Sequence, residues 1–239
     1  MGSDAVTSSQ EDVATAKGGE SAYFPAFIDL RGKLCLVVGG GEVAARKVRA
    51  LLAAGARVRV IAPEVCEGMP ALLRSGAAAH DRREYAEGDL AGSVLVFAAT
   101  DDADVNAAVH REATRRGILV NVVDDPAHCT FIVPSQVVRD GVYIAISTQG
   151  QSPALARHLR EKIEQAVPPA YGGLARMLGR LRDEVKEAVP SAGDRASRWA
   201  AVLESDVLSL LERGQTREAE ELARAILGLR RLPHEGRTP

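Results

Sequence analysis

From Pro25 onward, short β-rich apolar runs alternate with longer stretches of helical spacing, the pattern of βαβ units around a parallel sheet. Five runs read as strands: Leu34 to Val38, Arg57 to Ile61, Ala77 to Asp81, Val94 to Ala98 and Ile118 to Val123. Between the first two, Val43, Ala44, Lys47, Val48, Leu51 and Leu52 recur at helical spacing, and Gly55 stands where the helix should end. A second helix is predicted from Ala103 to Arg116, with Val105, Ala108, Val109 and Ala113 on one face and Gly117 closing it. The rhythm then changes. Phe131 to Arg139 and Val142 to Ser147 are β-rich runs joined by Asp140-Gly141, which predicts an antiparallel hairpin, with Pro134 confining its strand to an edge or bulge. A bare hairpin edge favours pairing with a second copy, so a homodimer is expected.

Ser152-Pro153 reads as the cap and first residue of a helix running to about Val167, stopped by Pro168-Pro169. Further helices are predicted near Tyr171 to Ala188, Asp194 to Glu212 and Thr216 to Leu229, with breaks at Pro190 and Gly214. The expected class is α/β: a Rossmann-type parallel sheet, a small hairpin and helix dimerisation region, and a C-terminal helical domain. In numbers, 1–22 is expected to be a disordered leader, 23–130 the dinucleotide-binding domain, 131–167 the dimerisation region, 168–230 the helical domain and 231–239 a loose tail.

Composition narrows the classes. Apolar residues are 46% and charged residues 26% of the 239 positions, an ordinary globular balance. A formal net charge of −2 argues against broad attraction to nucleic acid or to an anionic membrane, so any anionic ligand needs a local basic site. No apolar run approaches the roughly 20 residues that cross a bilayer. Met1 to Glu20 lack the basic start and apolar core of a signal peptide. Cys35, Cys66 and Cys129 are too scattered for a disulfide framework or thiolate site, which fits a reducing cytoplasm. The five histidines show no metal-binding spacing.

The sharpest motif is Gly39-Gly40-Gly41-Glu42-Val43-Ala44, a G-x-G-x-x-A turn between a predicted strand and helix. There the glycines let backbone amides approach a pyrophosphate and the helix N-terminus supplies partial positive charge. The second strand ends Val60-Ile61-Ala62-Pro63-Glu64, with no acid at its tip for the adenosine ribose. Glu64 sits slightly late, so NAD over NADP is a preference, and a solvated loop acid is an equal reading.

Six motifs in order carry a resemblance: Phe24-Pro25-Ala26-Phe27; Gly39 to Lys47; Ala98-Ala99-Thr100-Asp101-Asp102; Asn121-Val122-Val123-Asp124; Phe131-Ile132-Val133-Pro134-Ser135; and Ser147 to Arg157. Together they resemble the precorrin-2 dehydrogenase/sirohydrochlorin ferrochelatase family, which includes the amino-terminal part of siroheme synthase. The resemblance spans about Tyr23 to Leu229. It implies NAD-dependent oxidation of precorrin-2 to sirohydrochlorin by a homodimer, with ferrous ion as the substrate of a second, metal-inserting activity. At the cofactor site it implies contacts from Gly39, Gly40, Gly41, Glu42, Val43, Pro63, Glu64, Thr100 and Asp101. Asp101 and Asp102 read equally well as helix-capping acids.

The position similar to the family's essential aspartate is Asp124. A carboxylate there can take the proton that accompanies hydride loss, or help strip pyrrole N–H groups as ferrous ion enters. Asp125 is a second carboxylate beside it. Ser147, Thr148, Gly150 and Arg157 are candidates for the tetrapyrrole, with Thr148 standing where the family pattern has a serine. Precorrin-2 carries eight carboxylates, and between Gln151 and Trp199 nine bases face six acids, a locally basic stretch. Two other readings stay open: a dehydrogenase that leaves metal insertion to a separate chelatase, and a nucleotide-sensing regulatory module.

Overall fold

The structure, a computed structural model, describes residues 23–74 and 76–230. The expected leader and tail, and His234, lie outside the described residues. The chain divides between Ile132 and Val133 into two compact units, the second taking in both the stretch expected as a dimerisation region and the stretch expected as a helical domain.

In the first unit, β1 (Leu34–Val38), β2 (Arg57–Ile61), β3 (Ala78–Asp81), β4 (Leu95–Ala98) and β5 (Leu119–Val122) form one parallel sheet in the order β3-β2-β1-β4-β5. The inner strands β1 and β4 are apolar on both faces because both faces are covered. On one, α1 (Glu42–Ala53) and the short α2 (Met69–Leu73) pack Ala44, Ala45, Val48, Leu51 and Met69 onto Cys35, Val37, Val58, Val60 and Phe97. On the other, α3 (Ala103–Arg116) sets Val109 and Ala113 against Leu36, Val38, Val96, Ala98, Val120 and Val122. The predicted helices α1 and α3 are present and end at Gly55 and Gly117, both with positive φ. The spacing gave no sign of α2, only five residues long and opened by Pro70 near its start.

Register fixes the sheet's upper edge. Val38 pairs with both Ile61 and Ala98, and Ala98 with Val122, so the strands β2, β1, β4 and β5 finish in one row. Everything that follows them in sequence emerges along that row, where ligands of open α/β sheets bind.

In the second unit β6 (Ser135–Arg139) and β7 (Val142–Ile146) form the predicted hairpin, with Asp140 and Gly141 both at positive φ as a two-residue turn of this kind needs. Pro134 lies just before the strand. Next come α4 (Pro153–Ala166), α5 (Ala170–Ala188), α6 (Ala192–Leu203), α7 (Val207–Glu212) and α8 (Thr216–Leu227). Leu174, Met177, Leu181 and Val185 of α5 form a core with Val202, Val207, Ala219, Ala223 and Leu227. The single segment expected from Asp194 to Glu212 is two helices. Ser205 breaks it: its hydroxyl donates to the Val202 carbonyl at 2.7 Å and accepts from the Val207 amide, competing with the helical ladder.

Candidate active site

The helix after β1 covers one face of the sheet and the helix after β4 covers the other, so the crevice opens between these two strands. Gly39 has φ +120°, and a Cβ on it would run into the Ala99 carbonyl; a Cβ on Gly40 would run into the Glu64 carbonyl. Backbone bonds hold both approaches closed: Gly39 N–H to Ile61 O at 2.9 Å and Cys66 N–H to Gly40 O at 2.8 Å. Gly41 differs, since a Cβ there would meet nothing within 4 Å. It is the extended N-cap of α1, and no side chain caps that helix. The first-turn amides therefore face an open cradle, suited to the pyrophosphate of a dinucleotide. Glu42 is exposed and Val43 half-buried at its rim.

Pro63 and Glu64 follow β2 along the same edge, both exposed, with the Glu64 backbone seated on Gly40. Arg82 donates to the Pro63 carbonyl at 3.3 Å, so an acid and a guanidinium share this tip. Beyond β4, the Thr100 hydroxyl donates to Asn106 Oδ1 at 2.8 Å, and Asn106 Nδ2 donates to the Thr100 carbonyl at 2.9 Å, which fixes the loop over the crevice. Of the two acids here Asp102 is the cap: its carboxylate accepts from the Asp104 and Val105 amides at 2.8 and 3.1 Å. Asp101 is exposed and takes no part in the cap.

Beyond β5 the Val123 amide donates to the Ala98 carbonyl at 2.9 Å and continues the ladder for one residue. Asp124 then turns with φ +60°, a conformation that aspartate adopts at some cost, and it is exposed just beyond the end of β5. With strands about 4.8 Å apart, two steps across the sheet separate this residue from the glycine turn. The neighbouring carboxylate of Asp125 is engaged, 2.6 Å from His128 Nδ1. Behind both, the Cys129 thiol accepts from the Val122 amide at 3.2 Å, and burial pushes its pKa up. Lys47 of α1 is half-buried on the same side, its ammonium 5.0 Å from the centre of the Phe97 ring. Among the described residues, no three His, Cys, Asp or Glu side chains gather as a metal-ligand set.

The remaining predicted residues belong to the second unit. Ser147 to Ser152 form a self-bonded turn: the Ser147 hydroxyl accepts from the Gln149 amide at 2.9 Å, and Thr148 Oγ1 both donates to the Ser152 carbonyl and accepts from its amide at 3.1 Å. Gly150 supplies a positive φ, and Ser152 caps α4 through the Leu155 amide, as its spacing predicted. Arg157 is exposed on α4. Several bases of the basic stretch are engaged locally: Arg160 with Glu164 at 2.6 Å, Arg180 with Glu220 at 3.2 Å, Arg176 with Asp140, and Arg198 with the Leu227 carbonyl at 2.6 Å.

Three family models match the chain in order. One for NAD(P)-binding domains covers residues 26–135, one for the central part of sirohaem biosynthesis proteins covers 142–166, and one for the sirohaem synthase dimerisation region covers 170–227. Over most of its length the chain is similar to siroheme synthases. Siroheme synthase of Photorhabdus laumondii is 44% identical over 199 residues, 83% of this chain and 42% of that protein. That of Nitrosococcus oceani is 41% identical over 214 residues, 90% of this chain and 46% of that protein. The chain thus spans less than half the length of these siroheme synthases. A solved structure described as SirC, precorrin-2 dehydrogenase, is 25% identical with a TM-score of 0.71, and the match covers 85% of this chain and all of that one. The unit carrying the glycine turn is the one matched by the NAD(P)-binding model. The dimerisation match falls on α5 to α8, the stretch assigned from spacing to the helical domain, while 131–167 largely coincides with the central-protein match.

Proposed function

We propose that this protein oxidises precorrin-2 to sirohydrochlorin with NAD as hydride acceptor, and that it also inserts ferrous ion into the product to give siroheme. The observation that carries the reading is one row of the sheet edge. At one end lie the uncapped α1 amides at Gly41 and, two strands away, the exposed carboxylate of Asp124. The siroheme synthase relatives and the precorrin-2 dehydrogenase of similar structure support the same substrate.

Bound NAD would take a hydride from a reduced ring carbon of the macrocycle. The chain's own residues do the rest. Gly39 and Gly40 let the turn fold tightly onto Ala99 and Glu64, and the amides from Glu42 onward hold the pyrophosphate. Glu64 accepts from the adenosine ribose hydroxyls, while Val43, Pro63, Thr100 and Asp101 bound the crevice. Asp124 accepts the proton released with the hydride, and its exposure at the mouth lets it pass that proton to solvent. The same carboxylate takes pyrrole protons as ferrous ion enters, the metal being a substrate in transit. Ser147, Thr148, Gly150 and Arg157 contribute to tetrapyrrole binding. The working form is a homodimer in the cytoplasm, a setting that suits three free thiols.

Anaerobic incubation of the purified protein with precorrin-2 and NAD tests the first activity; the expected result is sirohydrochlorin absorbance appearing well above the spontaneous rate, and oxidation at the control rate overturns it. Sirohydrochlorin with ferrous ion tests the second, and a rate equal to the enzyme-free control reduces the protein to a dehydrogenase alone. The Arg82 guanidinium beside Pro63 gives NADP a specific claim. Comparing kcat/KM for the two cofactors decides between Glu64 and Arg82 as the ribose-reading residue.

A further inference from the structure

α1 presents an apolar stripe to the sheet, yet one residue in that stripe is a lysine. Lys47 is half-buried, with its ammonium over the face of Phe97, and Phe131 packs edge-on against the same ring at a centroid distance of 5.4 Å. Phe97 pairs in register with Asn121 of β5, so the ammonium lies one strand from the segment that ends in Asp124. Among the described residues it has neither a hydrogen-bond acceptor nor an ion-pair partner beyond the aromatic ring. An ammonium in this state has lost part of its hydration and recovers only part of that cost from the ring. The charged groups that reach it are Arg46 on its own helix and, from the β5 side, Asp124, with the Cys129 thiol beside it.

We propose that Lys47 is a substrate-positioning residue that receives a peripheral carboxylate of the tetrapyrrole above Phe97 and so sets the reduced ring between the nicotinamide and Asp124. The inference rests on the dehydrogenase reading above. The anionic part of the dinucleotide has its own place at the start of α1. Lys47 lies five residues further on, about 7.5 Å along the axis, and over β4. A macrocycle rimmed with carboxylates brings an anion to that spot whichever ring enters first. A fixed cation then selects the orientation in which the ring to be oxidised faces the cofactor. Burial lowers the pKa of Lys47, followed by Arg46, and the Asp124 carboxylate opposes that fall and so helps keep it charged.

The test uses the full chain and two substitutions, Lys47→Met and Lys47→Arg, with three measurements: sirohydrochlorin affinity by absorbance titration, NAD affinity by protein fluorescence, and steady-state oxidation of precorrin-2. Lys47→Met should weaken sirohydrochlorin binding about tenfold, as expected for one charge-assisted contact. NAD affinity should move less than twofold, KM for precorrin-2 should rise more than kcat falls, and Lys47→Arg should restore most of the loss. Unchanged sirohydrochlorin affinity in a Lys47→Met protein that binds NAD normally overturns the proposal. A loss confined to NAD affinity also overturns it, by making Lys47 a cofactor residue. If the unsubstituted protein binds sirohydrochlorin through Lys47 but does not oxidise precorrin-2, the dehydrogenase reading fails while the assignment of the anion contact stands; if it binds no tetrapyrrole, both fail.

Discussion

The three glycines of the turn divide the labour between packing and binding. Gly39 and Gly40 are held against backbone carbonyls, whereas the space beside Gly41 is free. Gly40→Ala should therefore cost roughly 1–3 kcal/mol of stability, seen as a lower melting temperature. Gly41→Ala should melt close to the parent and instead weaken NAD binding by about tenfold, because its methyl group enters the phosphate cradle. Calorimetry of both variants separates the two effects, and the reverse pattern would mean the cradle lies elsewhere. Asp124 permits an equally clean experiment, because asparagine tolerates its φ of +60° nearly as well as aspartate. Asp124→Asn should keep the backbone and NAD affinity while precorrin-2 oxidation falls at least about a hundredfold, the usual scale of a general base. A rate near the parent's would remove Asp124 from the chemistry. The turn glycines were legible as a motif, but which of them packs and which stays open depends on Ala99 and Glu64, residues far along the chain. Lys47 was visible as a cation inside an apolar stripe. Its place over Phe97 was not, because that needs the register of β4 against β1.

Among the elements, α1, α3 and α4 could be read closely, since each has an apolar stripe and a local stop or start: Gly55, Gly117, Ser152-Pro153. The elements that escaped are those decided by contacts rather than pattern, such as five-residue α2 and the Ser205 break. The connection from β2 through β3 to β4 is held by charge. Arg59 pairs with Asp81 at 2.5 Å and Arg83 with Asp89 at 2.5 Å, with cross-contacts of 3.3 and 3.6 Å. The hydrogen bond from Arg59 holds the Asp81 carboxyl below its ordinary pKa, and that from Arg83 does the same for Asp89, each against the opposing pull of burial. A depressed carboxylate pKa contributes stability that is fully present above the unfolded value, roughly 3.9, and is lost as pH falls through the folded value beneath it. Circular dichroism followed downward in pH should thus find Arg59→Met unfolding at a higher pH than the parent, and urea unfolding should find it less stable at neutrality, the gap closing as pH falls through the folded pKa of Asp81. Coincident acid transitions would show that this network adds nothing. On the other face the carboxylate of Glu112 is fully buried. Burial raises its pKa, but Tyr85, the Gly88 amide and Arg116 together bring it below the ordinary value.

At the scale of the whole molecule, the chain divides into two compact units where the βαβ rhythm gives way to the hairpin. What no spacing could supply is how completely each helix is covered. α4 contributes no buried residue, and its Leu155 and Leu159 are 48% and 38% exposed. A fourteen-residue helix with so little cover is marginal by itself. It begins at the Ser147 to Ser152 turn, where three of the proposed tetrapyrrole contacts, Ser147, Thr148 and Gly150, gather. If a second copy covers it, helix content and substrate affinity become properties of concentration. Dilution below the dimer's dissociation constant should lower both the ellipticity at 222 nm and the specific activity, and both should return on reconcentration. On the proposed reading, such an enzyme would work in proportion to how much of it the cell has made, because a lone copy would hold its cofactor yet lose its grip on what it is to oxidise.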